Sequence, residues 1–180
     1  TVNAAKSVII TVNAGFIAKE HWTQDPLIGG GRIIGECCHF IDLMRFLVGE
    51  RIVSVSGRAM TINGRGPVMA DRSAITLGFE DGSFGTIFYL ANGPSDFPKE
   101  RIEVFSDGKV LQLDNYRKLK GFGWKDFKKM NLFSQDKGQK ACAEEFMRAL
   151  ETGIPCIPVD QIFEVAHATI EANDILLGQS

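Results

Sequence analysis

The first hydrophobic run of the chain, residues 7–13, is rich in β-branched side chains and predicts a β-strand, and the same composition returns at residues 52–59. Two Asp-Gly pairs, Asp81-Gly82 and Asp107-Gly108, each lie between two further runs of this kind. Because Asp-Gly tolerates the positive φ angles of a tight turn, each pair predicts a β-hairpin. The hairpin strands are predicted at 74–80 with 83–90 and at 101–106 with 109–113.

Helical spacing of apolar residues appears in three places. Residues 34–48 repeat apolar side chains at steps of three and four and are apolar nearly all round, which predicts a helix buried on most faces. A second helix is predicted at 138–151. The last helix would begin with Asp160 as its N-cap. On that helix we expect these side chains to face the core: Ile162, Phe163, Val165, Ala166, His167 and Ile170.

The order of elements is strand, helix, several strands and two helices, with long loops predicted at 63–72 and 91–99. This order predicts an α+β fold around a largely antiparallel sheet of six or more strands. The length of 180 residues indicates one domain covering 1–180.

Composition excludes several classes of function. The net charge of −2 does not favour nucleic acid or an anionic membrane as a partner. No apolar run approaches the roughly 18 residues of a membrane span, and no signal peptide is recognised at the start, so we expect a cytoplasmic protein. The four cysteines form no C-x-x-C spacing, which predicts reduced core thiols and no metal site.

Candidate chemistry lies at the start of the first helix, after the Gly29-Gly30-Gly31 triplet. In a regular helix His39 has Glu36 three residues before it and Asp42 three residues after it, and Gly35 leaves space beside the ring. An imidazole beside a carboxylate is a plausible general acid–base pair. The competing interpretation is a histidine with a purely structural role, and the spacing alone does not decide between them.

The run GGGRIIGECCHFIDLMRFLVG resembles the signature helix of the Gfo/Idh/MocA oxidoreductases, the family of glucose–fructose oxidoreductase and inositol dehydrogenase. The likeness continues through FEDGSFGTIFYLANG and PKERIEVFSDGKV and covers essentially the whole chain, which is most similar to a subgroup of bacterial two-module oxidoreductases. The resemblance implies an open sheet with helices packed on one face. It also implies a homo-oligomer formed through the other face.

The resemblance further implies that His39 matches the family's catalytic histidine, which exchanges a proton with the hydroxyl being oxidised. The family usually has an Asp four residues before that histidine, where this chain has Gly35. Glu36 either replaces the missing acid or makes a structural bond elsewhere. Asp42 is expected to anchor the helix or support the site from behind.

Five residues around this segment are candidates for binding a polyhydroxylated ligand. Amide and cationic groups bond to hydroxyls, and an indole can stack on a sugar ring. The candidates are Asn13, Lys19, His21, Trp22 and Arg32.

No G-x-G-x-x-G fingerprint of a dinucleotide-binding domain occurs in the chain. The resemblance therefore implies that NAD or NADP is bound mainly by a Rossmann domain absent from this chain, together with the family's catalytic Lys. We expect the whole protein to be a dehydrogenase acting on a sugar, nucleotide sugar or polyol, and this fragment alone to be inactive. The alternative is a non-catalytic sugar-binding or oligomerisation module with the same fold.

Overall fold

One open sheet of eight strands organises the chain in the computed structural model, which describes residues 4–25, 27–61 and 68–178. The strands lie in the order β2-β3-β4-β1-β5-β6-β7-β8. Their bounds are β1 Ser7–Asn13, β2 Ile52–Thr61, β3 Val68–Phe79, β4 Phe84–Leu90, β5 Glu100–Ser106, β6 Lys109–Asp114, β7 Lys118–Phe122 and β8 Lys129–Asn131.

The first strand lies in the middle of the sheet. It pairs in parallel with β4 and antiparallel with β5, and every other pairing is antiparallel among the described strands. Ile10 is opposite Ile87 on one side and Ile102 on the other, and all three are buried. Because side chains alternate along a strand, these apolar rows face the same side of the sheet and form the core.

Helices cover that side. A π-helix, Ile33–Cys37, leads directly into α1, Cys38–Val48, and α3 spans Val159–Leu177. The buried side chains of α1 include Phe40, Ile41 and Met44. The predicted α+β fold, with an open and largely antiparallel sheet and helices on one face, is confirmed.

The second helix differs from the other two. α2, Gln139–Thr152, has no buried residue, and Phe146, Met147 and Leu150 are exposed along it. Its start is nevertheless tied to the sheet, because the Lys137 ammonium lies 2.7 Å from the buried Glu100 carboxylate. The helix is held at its beginning and leaves an apolar side uncovered.

The prediction from sequence was wrong in two stretches of the middle region. β3 begins at Val68, so the loop predicted at 63–72 is strand from there onward, while residues 62–67 lie outside the described residues. The short strands β7 and β8 were missed, because they have only five and three residues and contain no β-branched side chain.

The orientation predicted for the last helix is mostly wrong. α3 begins after Pro158, so Asp160 lies inside its first turn and is not the N-cap. Of the six residues expected to face the core only Val165 is buried. The buried positions are Val165, Ala168, Thr169, Ala172 and Leu176. Small side chains let α3 approach the sheet closely, and His167 instead lines an exposed groove between α3 and β2.

All four cysteines are free thiols. Cys37 is buried, and burial raises its pKa to about 12. Cys142 and Cys156 are exposed, so the prediction that the cysteines lie in the core is wrong for these two.

No helix in the described part of the chain combines the length and the apolar character that a bilayer span requires.

A nearly buried ion pair connects α1, β2 and α3. Glu164 accepts hydrogen bonds from Arg45 Nε at 2.9 Å and from the backbone N–H of Ile52 at 2.6 Å. The Arg45 and Glu164 side chains are 9% and 15% exposed. Removal of one partner of such a pair leaves a desolvated charge without compensation.

We expect E164A to lower the free energy of unfolding by about 3 kcal/mol. Urea titration followed by circular dichroism measures this change. The control is E144A, which removes the exposed Lys140–Glu144 pair on α2, with side chains 90% and 66% exposed, and we expect a change below about 0.5 kcal/mol. Equal losses in the two variants would contradict the structural role of Glu164.

Candidate functional site

The Glu36 carboxylate is the centre of the candidate site. Its Oε2 accepts hydrogen bonds from Arg32 Nη2, at 2.6 Å, and from the Tyr89 hydroxyl. Its Oε1 accepts one from Lys99 Nζ at 2.7 Å. Three donors from three parts of the chain therefore meet at one side chain, and we call these four residues the Glu36 cluster.

Local backbone geometry brings Glu36 to this position. The Cys38 N–H bonds to the carbonyl of Ile33, five residues back, which makes the turn from Ile33 to Cys37 a π-turn. Such wide turns occur often at functional sites. The prediction that residues 34–48 form one regular helix therefore fails in the first turn, and the ordinary spacing between Glu36 and His39 does not apply there.

Arg32 fixes the π-turn to the end of β1. Its side chain is 3% exposed, and its two terminal nitrogens donate to the backbone carbonyls of Gly15, at 2.6 Å, and Ala14, at 2.9 Å, as well as to Glu36. The guanidinium also lies 5.4 Å from the centre of the Tyr89 ring. Its hydrogen bonds thus go to protein groups, and it balances the Glu36 charge from the buried side.

Asn13 holds the loop that carries Lys99. Its Nδ2 donates to the carbonyls of Pro94, at 2.8 Å, and Phe97, at 3.1 Å, and its backbone N–H donates to the carbonyl of Lys99 at 2.7 Å. Gly93 makes this contact possible, because a Cβ there would lie 2.3 Å from Asn13 Oδ1.

Hydrogen bonds and charge keep Glu36 ionised. Partial burial raises the pKa of this carboxyl, but hydrogen bonds from Lys99, Tyr89 and Arg32 and the positive charge of Lys99 outweigh burial and lower the pKa to about 2. The pKa of Tyr89 is raised by its burial and by the neighbouring carboxylate, so the phenol keeps its proton and donates it to the hydrogen bond.

His39 lies on the first turn of α1 and is exposed, as is Asp42 on the next turn. Within the described residues no hydrogen bond joins His39 to Glu36 or to Asp42. The imidazole is therefore exposed, and Glu36, three residues earlier in the sequence, is bonded elsewhere.

The remaining predicted ligand-binding residues lie on the segment before the glycine triplet. Lys19, His21 and Trp22 are exposed, and His21 Nδ1 is 2.9 Å from Thr23 Oγ1 at the start of a short 3₁₀ turn, Trp22–Gln24. Gly29 packs directly on this turn, since a Cβ there would lie 2.5 Å from the carbonyl oxygen of Trp22. The structure places this turn beside the entry to the π-helix but shows no hydrogen bond to the Glu36 cluster from these described side chains.

Sequence reasoning missed Tyr89 and Lys99. Tyr89 continues the buried alternation of β4, and a buried phenol usually needs a hydrogen-bond partner, which was a usable signal. Lys99 carried no such signal, because only the folded path of the loop at 91–99 brings it to Glu36.

Comparison with protein families assigns residues 6–111 to the GFO/IDH/MocA C-terminal domain, a stretch that includes His39 and the whole Glu36 cluster. The chain belongs to the GFO/IDH/MocA family. No curated protein matches the sequence significantly.

Solved structures share the fold at low sequence identity. The UDP-N-acetylglucosamine 3-dehydrogenase GnnA of Acidithiobacillus ferrooxidans is 16% identical, with a TM-score of 0.73 over 98% of this chain and 55% of that one. The aldose-aldose oxidoreductase of Caulobacter crescentus is 17% identical, with a TM-score of 0.74 over 99% and 55%. An NAD binding oxidoreductase of Klebsiella pneumoniae is 17% identical, with a TM-score of 0.71 over 99% and 58%. The present chain therefore spans little more than half the length of these family proteins.

The ionised state of Glu36 predicts a pH-dependent stability. A carboxyl whose pKa falls from 4.5 in the unfolded chain to about 2 in the folded one stabilises the fold above pH 4.5, and this contribution disappears as the pH falls towards 2. We expect E36Q to be less stable than wild type by on the order of 2–3 kcal/mol at pH 7, and the difference to vanish near pH 2.

Urea titrations of both proteins between pH 7 and pH 2 measure that difference. The control is E20Q, which removes a carboxylate at an exposed position outside the Glu36 cluster. A constant gap between E36Q and wild type across this range would contradict the assigned charge state.

Proposed function

We propose that this chain is the substrate-binding and proton-transferring part of an NAD(P)-dependent dehydrogenase that acts on a hydroxyl of a sugar, nucleotide sugar or polyol. The observation that carries the proposal is the exposed imidazole of His39 at the start of α1, one turn beyond the Glu36 cluster. The family match and the sugar-modifying relatives of the same fold support the substrate class.

In this proposal His39 exchanges the hydroxyl proton. Histidine is the side chain best suited to give and take a proton near neutral pH, and an exposed ring can reach a bound substrate. The nicotinamide supplies the hydride chemistry when it is bound. Of the described residues, His39 alone is assigned proton transfer.

In this proposal Glu36 is not the acid–base partner of His39 that the sequence suggested. With a pKa of about 2 it does not accept a proton at neutral pH, and its oxygens are bonded to Arg32, Tyr89 and Lys99. We therefore assign it to positioning: it joins the π-turn to β4 and to the loop after it. Of the two alternatives left by the missing acid at Gly35, the structural bond is the one that this geometry favours.

The other candidates divide into two groups. Asn13 and Arg32 direct their described donors to backbone carbonyls and to Glu36, so we assign them to the shape of the site. Lys19, His21 and Trp22 keep accessible side chains, and the indole, 61% exposed, offers a surface on which a sugar ring can stack. Asp42 stays assigned to support of α1.

The described residues do not form a dinucleotide site. β1 and its parallel neighbour β4 are connected through α1, β2 and β3, without the glycine-rich strand–turn–helix that cradles a pyrophosphate. Since the described residues include no such turn, we assign NAD or NADP, with the family's catalytic Lys, to a Rossmann domain outside this chain.

Exposed apolar surface supports such a domain. The α2 residues Phe146, Met147 and Leu150 and the α3 residues Phe163 and Ile170 are all more than half exposed. Patches of this kind usually mark an interaction site.

We place the whole protein in the cytoplasm, a location that the exposed free thiols of Cys142 and Cys156 support.

Substitution of His39 tests the proposal. In the full gene product we expect H39A to lower turnover of a sugar or polyol substrate by about a hundredfold or more, since that is the usual contribution of a general acid–base. NAD(P)H absorbance during turnover of a sugar and nucleotide-sugar panel measures the effect. H167A, at another exposed histidine on α3, should keep wild-type turnover. Unchanged turnover in H39A would favour the non-catalytic sugar-binding or oligomerisation module.

We also propose that the chain forms a homo-oligomer through the sheet face opposite the helices. Register places Phe84, Ser7, Phe105, Val110 and Phe122 side by side across five strands. The three phenylalanines in this row are exposed. A second copy of the chain that packs on this row would bury it.

We expect F105K to shift the protein from dimer towards monomer, because the substitution places a charge in the middle of this row. Light scattering coupled to size-exclusion chromatography measures the mass. F133S, which changes a fully exposed phenylalanine outside the sheet, serves as the control. A dimer that persists in F105K at low micromolar concentration would place the interface elsewhere.

A further inference from the structure

Lys99 carries an accessible positive charge in a cluster that has one more cation than anions. Its side chain is 44% exposed, compared with 26% for Glu36 and 3% for Arg32. The Glu36 cluster contains two cations and one carboxylate. The buried Arg32 already neutralises the charge of that carboxylate. One net positive charge remains, and it is at the solvent-facing end of the cluster.

The Lys99 ammonium also has donors to spare. A lysine can donate three hydrogen bonds, and in the described part of the chain Lys99 Nζ donates one, to Glu36 Oε1. The next residue, Glu100, does not compensate the charge, because its carboxylate is buried and paired with Lys137 at 2.7 Å.

The position of Lys99 is fixed before any ligand arrives. Its carbonyl accepts the backbone N–H of Asn13, and Asn13 Nδ2 holds Pro94 and Phe97 of the same loop. The bond to Glu36 sets the direction of the side chain. A pre-positioned group loses little conformational entropy on binding, which favours affinity.

We propose that Lys99 is an anchoring residue for an anionic group of the substrate, a carboxylate or a phosphoryl, bound beside His39. This inference rests on the proposed function and narrows its substrate class to acidic sugars: sugar acids, sugar phosphates or nucleotide sugars. The anion bonds to the free ammonium donors, while Glu36 keeps the ammonium in place. Lys99 thus selects among substrates and takes no part in proton transfer.

Binding of matched probes to the full gene product tests the proposal. The probes are glucose as the neutral reference, glucuronate and galacturonate as carboxylates, and glucose 1-phosphate and UDP-glucose as phosphoryl compounds. By calorimetry at low salt we expect at least one acidic probe to bind about tenfold or more tightly than glucose, as a charge-assisted hydrogen bond predicts. Preference for the uronates identifies a carboxylate, and preference for the other two identifies a phosphoryl.

The variant K99M removes the charge and keeps the length of the side chain. We expect it to lose the tenfold preference for the acidic probe over glucose. K99R should retain a preference, and K140M, which removes an exposed cation on α2, should bind as wild type does. Thermal melting of each variant checks that it is folded.

A measurement on wild type alone covers the case in which K99M does not fold. Raising the salt concentration from about 0.05 M to about 0.5 M should weaken binding of the acidic probe several-fold and leave glucose unaffected, since salt screens an exposed charge. Equal affinity for acidic and neutral probes in wild type, or a preference that survives in K99M, overturns the assignment of Lys99.

Failure of this inference is distinguishable from failure of the proposed function. If H39A abolishes turnover and K99M does not change the preference among probes, the dehydrogenase proposal stands and the anchor is wrong. If K99M abolishes the preference and H39A keeps full turnover, the anchor stands on a site whose chemistry does not use His39.

Discussion

The arrangement of the site depends on one partly buried carboxylate, that of Glu36. Glu36 receives Arg32 from its own π-turn, Tyr89 from β4 and Lys99 from the loop before β5, and Arg32 in turn holds the chain just after β1. The contacts with Arg32 and Tyr89 satisfy polar groups that burial would otherwise leave without a partner. Since the donors come from separate elements, the carboxylate fixes how the first helix enters the sheet.

This constraint gives Glu36 and His39, at the same helix end, different surroundings. Glu36 stays charged and holds cations in place, whereas His39, one turn later, is exposed and bonded to neither acid of its own helix. In the family pattern that the sequence resembles, an acid stands four residues before the histidine, and here Gly35 occupies that position. The nearest acid, Glu36, is bonded to Arg32, Tyr89 and Lys99, while the imidazole stays exposed.

The surfaces of the chain are consistent with a part of a larger assembly. α2 and α3 carry apolar side chains that remain exposed, and the phenylalanine row crosses the open face of the sheet. The family proteins of the same fold are almost twice as long as this chain. The two exposed regions lie on different elements, so the proposed Rossmann domain and a second copy of the chain need not compete for one surface.

The sequence by itself determined the elements whose pattern is local. The strand at 7–13, the two Asp-Gly hairpins, the first helix and the α+β class follow from β-branched composition, turn chemistry and helical spacing. The segment containing His39 and Glu36 was recognisable from its residues. Only the tertiary structure decided the π-turn, the inward side of α3 and the convergence of Tyr89 and Lys99 on Glu36. The physical reason is the distance along the sequence between the residues that interact. A local pattern reports which backbone conformation a segment prefers, whereas the partner of a charge 63 residues away depends on how the strands are ordered in the sheet.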